Sequence, residues 1–125
     1  MNEFRITMPN TPGNLARVAR SLADHGVSVL GLSCHGLGDE GFAALVVDNE
    51  DEAREAFGAV GASYEEVPCC VVTLEDRVGA LAEACTKLGS GDANIETAYI
   101  ALLQGEPRWI VTSDSPRAAG ILGAD

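Results

Sequence analysis

The sequence predicts an α+β protein made of two tandem copies of one βαββαβ unit. The first observation behind this prediction is an internal repeat, because a four-residue apolar pattern returns after a fixed interval. Leu15, Val18, Ala19 and Leu22 recur as Leu81, Ala84, Cys85 and Leu88, each 66 positions later (for example, 81 minus 15). We therefore expect one domain at residues 1–67 and a second, C-terminally truncated domain at residues 68–125.

The interval also relates residues outside this pattern. The pairs that share the offset of 66 include Ile6 and Val72, Asn10 and Asp76, Gly13 and Gly79, and Val29 and Ile95. Val46 pairs best with Val111 and Ala53 with Ala118, an offset of 65 (111 minus 46). This change, which follows the central hairpin, predicts that one turn is a residue shorter in the second copy.

The second observation is the succession of strand and helix periodicities inside the first copy. Phe4 to Met8 alternates apolar and polar residues, as a half-buried strand does. The next segment has apolar residues at helical spacing, with Thr11 as a candidate N-cap, Pro12 suited to the first helical position and Gly26 placed to end the helix. The sequence therefore predicts a strand followed by a helix.

Two further strands and a second helix complete the first copy. Val27 to Cys34 and Phe42 to Asp48 are apolar runs joined by a glycine-rich turn, which indicates a hairpin. Asn49 is a candidate cap of the second helix and Gly61 its terminator, because these residue types favour those positions. Ala62 to Val67 is the last predicted strand.

The second copy contains the same elements except the last. Its predicted elements are a strand at Cys69 to Leu74, a helix at Val78 to Leu88, strands at Ala93 to Leu103 and Arg108 to Ser113, and a helix opened by Asp114, Ser115 and Pro116. The connections predict an antiparallel sheet with both helices on one face, the ferredoxin-like sandwich. Since the second copy lacks its last strand, the first strand of that copy is expected to have an open edge, and we expect a strand of the other copy or of another subunit to cover it.

Composition bounds the possible partners. With 46% hydrophobic and 22% charged residues, the chain is expected to fold around a core. With a net charge of -11, the chain would be repelled by nucleic acid and by anionic membrane surfaces. Either a high-salt environment or a need for solubility would explain this charge.

No apolar run is long enough to span a bilayer and no leader is evident, so a cytoplasmic protein is expected.

Candidates for catalysis or metal binding are few. The four cysteines form no Cys-x-x-Cys pair, so we expect no metal site and no cofactor. His25 suits a helix C-terminus, where it would cap the helix. Cys34 and His35 would point to opposite faces of a strand, which prevents a nucleophile and base pair, and Trp109 is expected in the core or in an interface. No catalytic residue is therefore predicted, and we expect a protein that is not an enzyme.

The loop from Asn10 to Leu15 is the best candidate for binding. The start of a helix presents unpaired N–H groups and a partial positive charge, which suit a carboxylate. Gly13 lacks a Cβ and permits close approach, while the Asn10 amide could hold an ammonium group. Together these groups would recognise the two ends of an amino acid. The alternative is that these residues merely begin a helix.

The same stretch resembles the ACT domain family. The resemblance rests on Asn10, Pro12, Gly13 and Leu15, followed by Val18, Leu22, Ala23, Gly26, Val27 and Val29. It implies a ligand held by Asn10, Thr11, Pro12, Gly13, Asn14 and Leu15 of one copy and by Val27, Ser28 and Val29 of a neighbouring copy. In the second copy the matching residues are Asp76, Gly79, Asn94 and Ile95. Arg77 and Val78 depart from the pattern, which makes this second loop a weaker or purely structural site.

The resemblance implies a regulatory protein that binds a free amino acid between ACT-like domains, in a homodimer, and acts allosterically. The alternative is an interaction module that docks on a metabolic enzyme without any small ligand. Other proteins that share the fold fit less well: the first loop has no arginine, as acylphosphatases need, and the chain is only 5% aromatic, too few for an RNA-binding sheet.

Overall fold

A computed structural model describes residues 1–124, which form seven strands and four helices. The strands are β1 (Asn2–Pro9), β2 (Val29–Leu37), β3 (Glu40–Val47), β4 (Ser63–Pro68), β5 (Cys70–Thr73), β6 (Ile95–Leu103) and β7 (Glu106–Ser113). The helices are α1 (Asn14–Asp24), α2 (Glu50–Ala59), α3 (Ala80–Ser90) and α4 (Ala118–Leu122). The chain divides into a first unit, Asn2–Val67, and a second unit that contains Met1 and the chain from Pro68 onward.

The first unit contains a four-stranded sheet in the order β2-β3-β1-β4. Strand β1 pairs antiparallel with β3, with Phe4 opposite Leu45. Strand β4 also runs antiparallel to β1, because Asn2 contacts Glu66 while Phe4 contacts Tyr64. Alternate residues of β1 and β3 join buried residues of α1 and α2 in one core cluster, so both helices cover the same face of the sheet.

The second unit contains a three-stranded sheet in the order β5-β7-β6. Trp109 and Val111 of β7 pack with Leu88 of α3 and Ala118 of α4 in its core. The predicted fold class is confirmed: this is a ferredoxin-like βαββαβ fold in tandem, and within residues 1–124 no further strand follows α4 in the second copy. In the first unit the strand at this position is β4, which follows α2.

The second copy has one turn that is a residue shorter, as predicted, but the predicted pairing of Val46 with Val111 is wrong. Phe4 lies opposite Leu45, and Cys70 lies opposite Val111, so the offset is still 66 in β7 (111 minus 45). It falls to 65 only in the last helix, where the buried Ala53 corresponds to Ala118. The missing residue therefore lies between β7 and α4. Val46 and Val111 appeared to match because both are apolar, although they lie on opposite faces of their strands.

The ends of several helices are also corrected. Thr11 is not an N-cap and Pro12 does not begin the helix, because Gly13 in a left-handed conformation precedes the first helical residue, Asn14. Helix α4 begins at Ala118 rather than at Asp114. Other predictions are confirmed: the Asn49 side chain accepts a hydrogen bond from the Glu52 N–H. Gly26 and Gly61 follow α1 and α2 with positive φ angles of 69° and 63°.

No helix within residues 1–124 has the length and apolar character needed to cross a lipid bilayer. The longest helices, α1 and α3, have 11 residues each, whereas a membrane-spanning helix needs roughly 20.

Candidate functional site

The two strand-to-helix loops share an unusual backbone conformation. Gly13 has a φ of 93° and Gly79, 66 residues later, has a φ of 95°. Residues with a Cβ rarely adopt such angles, so glycine is required at both positions. A Cβ built on Gly13 would meet no atom within 4 Å. The backbone conformation, rather than lack of space, therefore explains this glycine.

The side-chain amide of Asn14 stabilises the first loop. Asn14 Nδ2 donates hydrogen bonds to the Pro9 carbonyl oxygen at 2.8 Å and to Thr11 Oγ1 at 2.7 Å. These bonds connect the two ends of the loop and involve no charged group. The loop lies at the surface, since four of its residues are exposed: Asn10, Thr11, Pro12 and Gly13.

Asn10 ties the first loop to the β2–β3 hairpin. Its backbone N–H donates to the Asp39 carbonyl oxygen at 2.8 Å, and its Nδ2 donates to the Gly38 carbonyl oxygen at 3.0 Å. The amide lies so close to Gly36 that a Cβ there would come within 2.6 Å of Nδ2. Asn10 therefore has a structural role, and part of its hydrogen-bonding capacity is used within the fold.

The start of α1 offers backbone donors beside this loop. The first N–H groups of a helix have no acceptor within the helix, and the helix dipole places a partial positive charge there. Neither Gly13 nor any other residue caps α1 through its side chain, and the first turn of α1 contains no acidic residue. The first loop can therefore accept an anionic group such as a carboxylate.

The second loop contains a network of ion pairs instead. Arg77 Nε donates to Glu75 Oε2 at 2.6 Å, and Arg77 Nη2 donates to Glu83 Oε2 at 2.6 Å. The hydrogen bond from Arg77 lowers the pKa of Glu83, and it raises the pKa of Arg77 above its ordinary value. Since Glu83 lies in the first turn of α3, a carboxylate of the protein already occupies the positive end of this helix.

The residues predicted at the strand starts have structural partners. Val27 is buried, and its N–H donates to the Leu22 carbonyl oxygen at 2.9 Å. The Ser28 N–H donates to Asp48 Oδ1 at 2.9 Å, and the Asp48 N–H donates back to the Ser28 carbonyl oxygen at 3.1 Å. Val29, in contrast, is 40% exposed and is available for contact.

The second unit repeats this reciprocal pair of bonds. The Asn94 N–H donates to Asp114 Oδ1 at 3.0 Å, and the Asp114 N–H donates to the Asn94 carbonyl oxygen at 3.3 Å. Sequence reasoning missed this role of the two aspartates. The signal was available, because Asp48 and Asp114 are 66 residues apart (114 minus 48).

Within one unit, the predicted site residues form two separate groups. Asn10 to Leu15 lie at the N-terminal end of α1, and Val27 to Val29 follow its C-terminal end. An 11-residue helix is about 16 Å long, so one small ligand cannot touch both groups of the same unit. Asp76 and Gly79 are separated from Asn94 and Ile95 by α3 in the same way. A ligand that touches both groups needs a neighbouring copy of the fold.

The other candidate residues have structural environments. His25 Nδ1 lies 2.8 Å from the Ser21 carbonyl oxygen, which confirms the capping role at the end of α1. The His35 ring stacks on Phe42, with 5.3 Å between the ring centroids, while the neighbouring Cys34 lies opposite Ala43. Trp109 is 2% exposed in the core of the second unit. Within residues 1–124, no cluster of His, Cys, Asp or Glu could hold a metal ion.

Comparison with known proteins gives structural matches only. No family model matches the chain, and no curated protein matches it by sequence. Among solved structures, a protein from Bacteroides thetaiotaomicron superposes with a TM-score of 0.87 at 19% identity, covering 99% of this chain and 89% of that chain. At this identity the likeness is one of fold.

Two further matches are to subunits of a known enzyme. The regulatory subunit of aspartate kinase from Thermus thermophilus has a TM-score of 0.71 and 24% identity, covering 98% of this chain and 87% of that chain. The regulatory subunit of aspartate kinase from Thermus flavus has a TM-score of 0.65 and 26% identity, with the same coverage. The whole tandem fold is therefore shared with these regulatory subunits.

Proposed function

We propose that this chain is an ACT-like regulatory protein, without catalytic activity, that binds a free amino acid. The main support for the proposal is the geometry of the first loop. This turn is exposed and uncharged, and it leaves the N–H groups at the start of α1 without a side-chain cap. These donors suit the carboxylate of an amino acid. The likeness to the regulatory subunit from Thermus flavus, at 26% identity over 98% of this chain, supports a regulatory role.

In this proposal the ligand lies where two copies of the fold meet in a homodimer. Asn10 to Leu15 of one copy hold the carboxylate, and the exposed Val29 of a neighbouring copy contacts the ligand side chain. The second loop, around Asp76 and Gly79, is a weaker site because Glu83 would repel a carboxylate there. Binding across two chains stabilises the dimer, and this gives an allosteric effector a way to act.

A thermal-shift screen of the twenty amino acids tests the proposal. A ligand at about 100 times its dissociation constant adds about 2.7 kcal/mol to the free energy of unfolding. We expect one amino acid, or a few related ones, to raise the melting temperature. If none does so at millimolar concentration, the amino-acid sensor is excluded.

A matched pair of charge variants locates the site. Pro12→Glu places a carboxylate at the exposed first loop, where it should repel the ligand and weaken binding at least tenfold by calorimetry. Val78→Glu introduces the same charge at the corresponding position of the second loop (78 minus 12 is 66), where Val78 is fully exposed, and should leave the affinity unchanged. Equal effects of the two variants would place the ligand elsewhere.

A second candidate function is a module that docks on a metabolic enzyme without a small ligand. The similarity to regulatory subunits of aspartate kinase favours it. Affinity purification of the tagged chain, combined with the ligand screen, separates the two functions. A stoichiometric enzyme partner together with a silent screen would support docking alone.

A further inference from the structure

The β2–β3 hairpin is hydrogen-bonded to the chain just before α1. Pro9, the last residue of β1, lies opposite Glu40 of β3. One residue later, the Asn10 N–H donates to the Asp39 carbonyl oxygen at 2.8 Å. Residues 11–13 are all that separate Asn10 from Asn14, the first residue of α1. The turn of the hairpin therefore holds the chain close to the start of the helix.

The side chain of Asn10 makes a second contact with the hairpin. Its Nδ2 donates to the Gly38 carbonyl oxygen at 3.0 Å. A Cβ built on Gly36 would lie 2.6 Å from Asn10 Nδ2, 2.8 Å from Oδ1 and 2.9 Å from Cγ. Because these three distances are so similar, the amide group lies broadside over Gly36. All three are shorter than van der Waals contact, so any side chain at position 36 would displace the amide.

Space, rather than backbone conformation, explains this glycine. Gly36 pairs with Gly41 in the β2–β3 ladder, and its φ is not in the left-handed range, whereas that of Gly38 is 60°. Glycine within a strand weakens the strand and often marks a place where another group approaches closely. At Gly36 that group is the Asn10 amide.

The second unit has different residues at both positions. Asp76 and Leu102 stand in place of Asn10 and Gly36, since 76 minus 10 and 102 minus 36 are both 66. An ionised carboxylate has no N–H to donate to a carbonyl oxygen, and Leu102 carries a branched side chain where Gly36 has none. The amide and the glycine therefore occur together, in the unit whose loop is uncharged.

The first loop depends on such contacts because little of it is buried. Residues 10–13 are all exposed, and a segment of this kind has few core contacts to fix its conformation. Asn14 connects the two ends of the loop through the Pro9 carbonyl oxygen. Asn10 provides the bonds that reach the hairpin.

We propose that Gly36 is a positioning residue of the amino-acid site: by leaving room for the Asn10 amide, it lets the hairpin hold the first loop in its binding conformation. This inference rests on the proposed function and adds the β2–β3 hairpin to the site. A loop that is already fixed loses less conformational freedom when a ligand binds, and this increases affinity. The effect of Gly36 on affinity passes through Asn10.

Gly36→Ala tests this role. The added methyl group displaces the Asn10 amide and breaks its bond to Gly38. Since the amide is the end of a flexible side chain, it can swing toward solvent while the sheet remains intact. The probes are the twenty amino acids, each titrated while the melting temperature is measured. We expect the half-maximal concentration of any amino acid that stabilises the wild type to rise about tenfold. Gly58→Ala adds the same methyl group within α2, where it meets no atom within 4 Å, and should leave that concentration unchanged.

A double-mutant cycle separates a positioning role from a general effect on the sheet. Asn10→Ala removes the amide, and Gly36→Ala then has no side chain to displace. If Gly36 acts through Asn10, the double variant should bind no more weakly than Asn10→Ala alone. A further tenfold loss in the double variant would show that Gly36→Ala disturbs the strand itself, and would overturn the proposal.

Amide hydrogen exchange follows the loop without any ligand. The Asn10 N–H, which donates to Asp39 in the wild type, should exchange faster in Gly36→Ala and at the wild-type rate in Gly58→Ala. Equal exchange in wild type and Gly36→Ala would contradict the positioning role. A wild type that responds to an amino acid, with an equal response in Gly36→Ala, overturns this role alone. A wild type that responds to no amino acid overturns the proposed function and this role with it.

Discussion

The two units share one repeated pattern and differ in the number of strands in their sheets and in the loop before the first helix of each unit. The first unit closes its sheet with β4 and keeps an uncharged loop at the start of α1. The second leaves β5 at an edge and fills the corresponding loop with the ion pairs of Arg77. In the proposed function, the first unit holds the ligand. A duplicated fold can thus keep its backbone plan while the charge at the start of one helix differs between the two copies.

The largest difference should be found in the two cores. Phe57 is 1% exposed and packs on Phe4 and Tyr64, so Phe57→Ala should lower the free energy of unfolding by about 3–5 kcal/mol. Leu122, its half-buried counterpart, lines an open groove, and Leu122→Ala should cost about 1–2 kcal/mol.

Urea unfolding of both variants tests this contrast. Circular dichroism follows both units, whereas the fluorescence of Trp109, the single tryptophan, follows the second. An equal or larger loss in Leu122→Ala would mean that the second core is as well sealed as the first.

The loop glycines should have a smaller effect, similar in both units. Gly13→Ala and Gly79→Ala force a Cβ into a left-handed backbone conformation and should each destabilise by about 1–2 kcal/mol. Gly58→Ala is the control, since Gly58 lies inside α2 with open space around it, and it should stabilise by about 0.5–1 kcal/mol. Thermal unfolding gives all three values. Stabilisation by Gly13→Ala would contradict the left-handed geometry.

The sequence predicted the fold well because the repeat and the apolar periodicities are properties of the whole chain. Helix ends were harder to predict, since Thr11 and Pro12 have the residue types of a helix start. The actual start depends on the φ of Gly13, which no residue type specifies. The role of Asn10 was missed for a related reason, because its partner, the Gly38 carbonyl oxygen, is 28 residues away. The ligand-binding role of the loop stays a prediction.

The smallest expected differences concern two surface networks of charge. Arg54 joins α2 to β4, with Arg54 Nη2 donating to Glu66 Oε1 at 2.8 Å, whereas Arg77 lies in the loop of the second unit. The side chains of Arg54 and Glu66 are 36% and 28% exposed, and those of Arg77 and Glu83 are 45% and 60% exposed. Water and salt screen the more exposed pair more strongly. Arg54→Gln should therefore destabilise the protein more than Arg77→Gln does.

The pH dependence of stability distinguishes the two variants from the wild type. The hydrogen bond from Arg54 lowers the pKa of Glu66 below its ordinary value of 4.5, and the bond from Asn2 adds to this effect. Because the folded-state pKa is the lower one, the stabilisation is complete above pH 4.5 and is lost as the pH falls through the lowered pKa. Urea unfolding should show a higher free energy of unfolding for the wild type than for Arg54→Gln at neutral pH, and the two free energies should become equal in acid.

For Arg77→Gln the difference from the wild type should be smaller, and it should disappear in about 1 M salt, where the Debye length is roughly 3 Å. A difference for Arg54→Gln that persists undiminished in acid would show that Arg54 acts through its contact with the Phe4 ring rather than through Glu66.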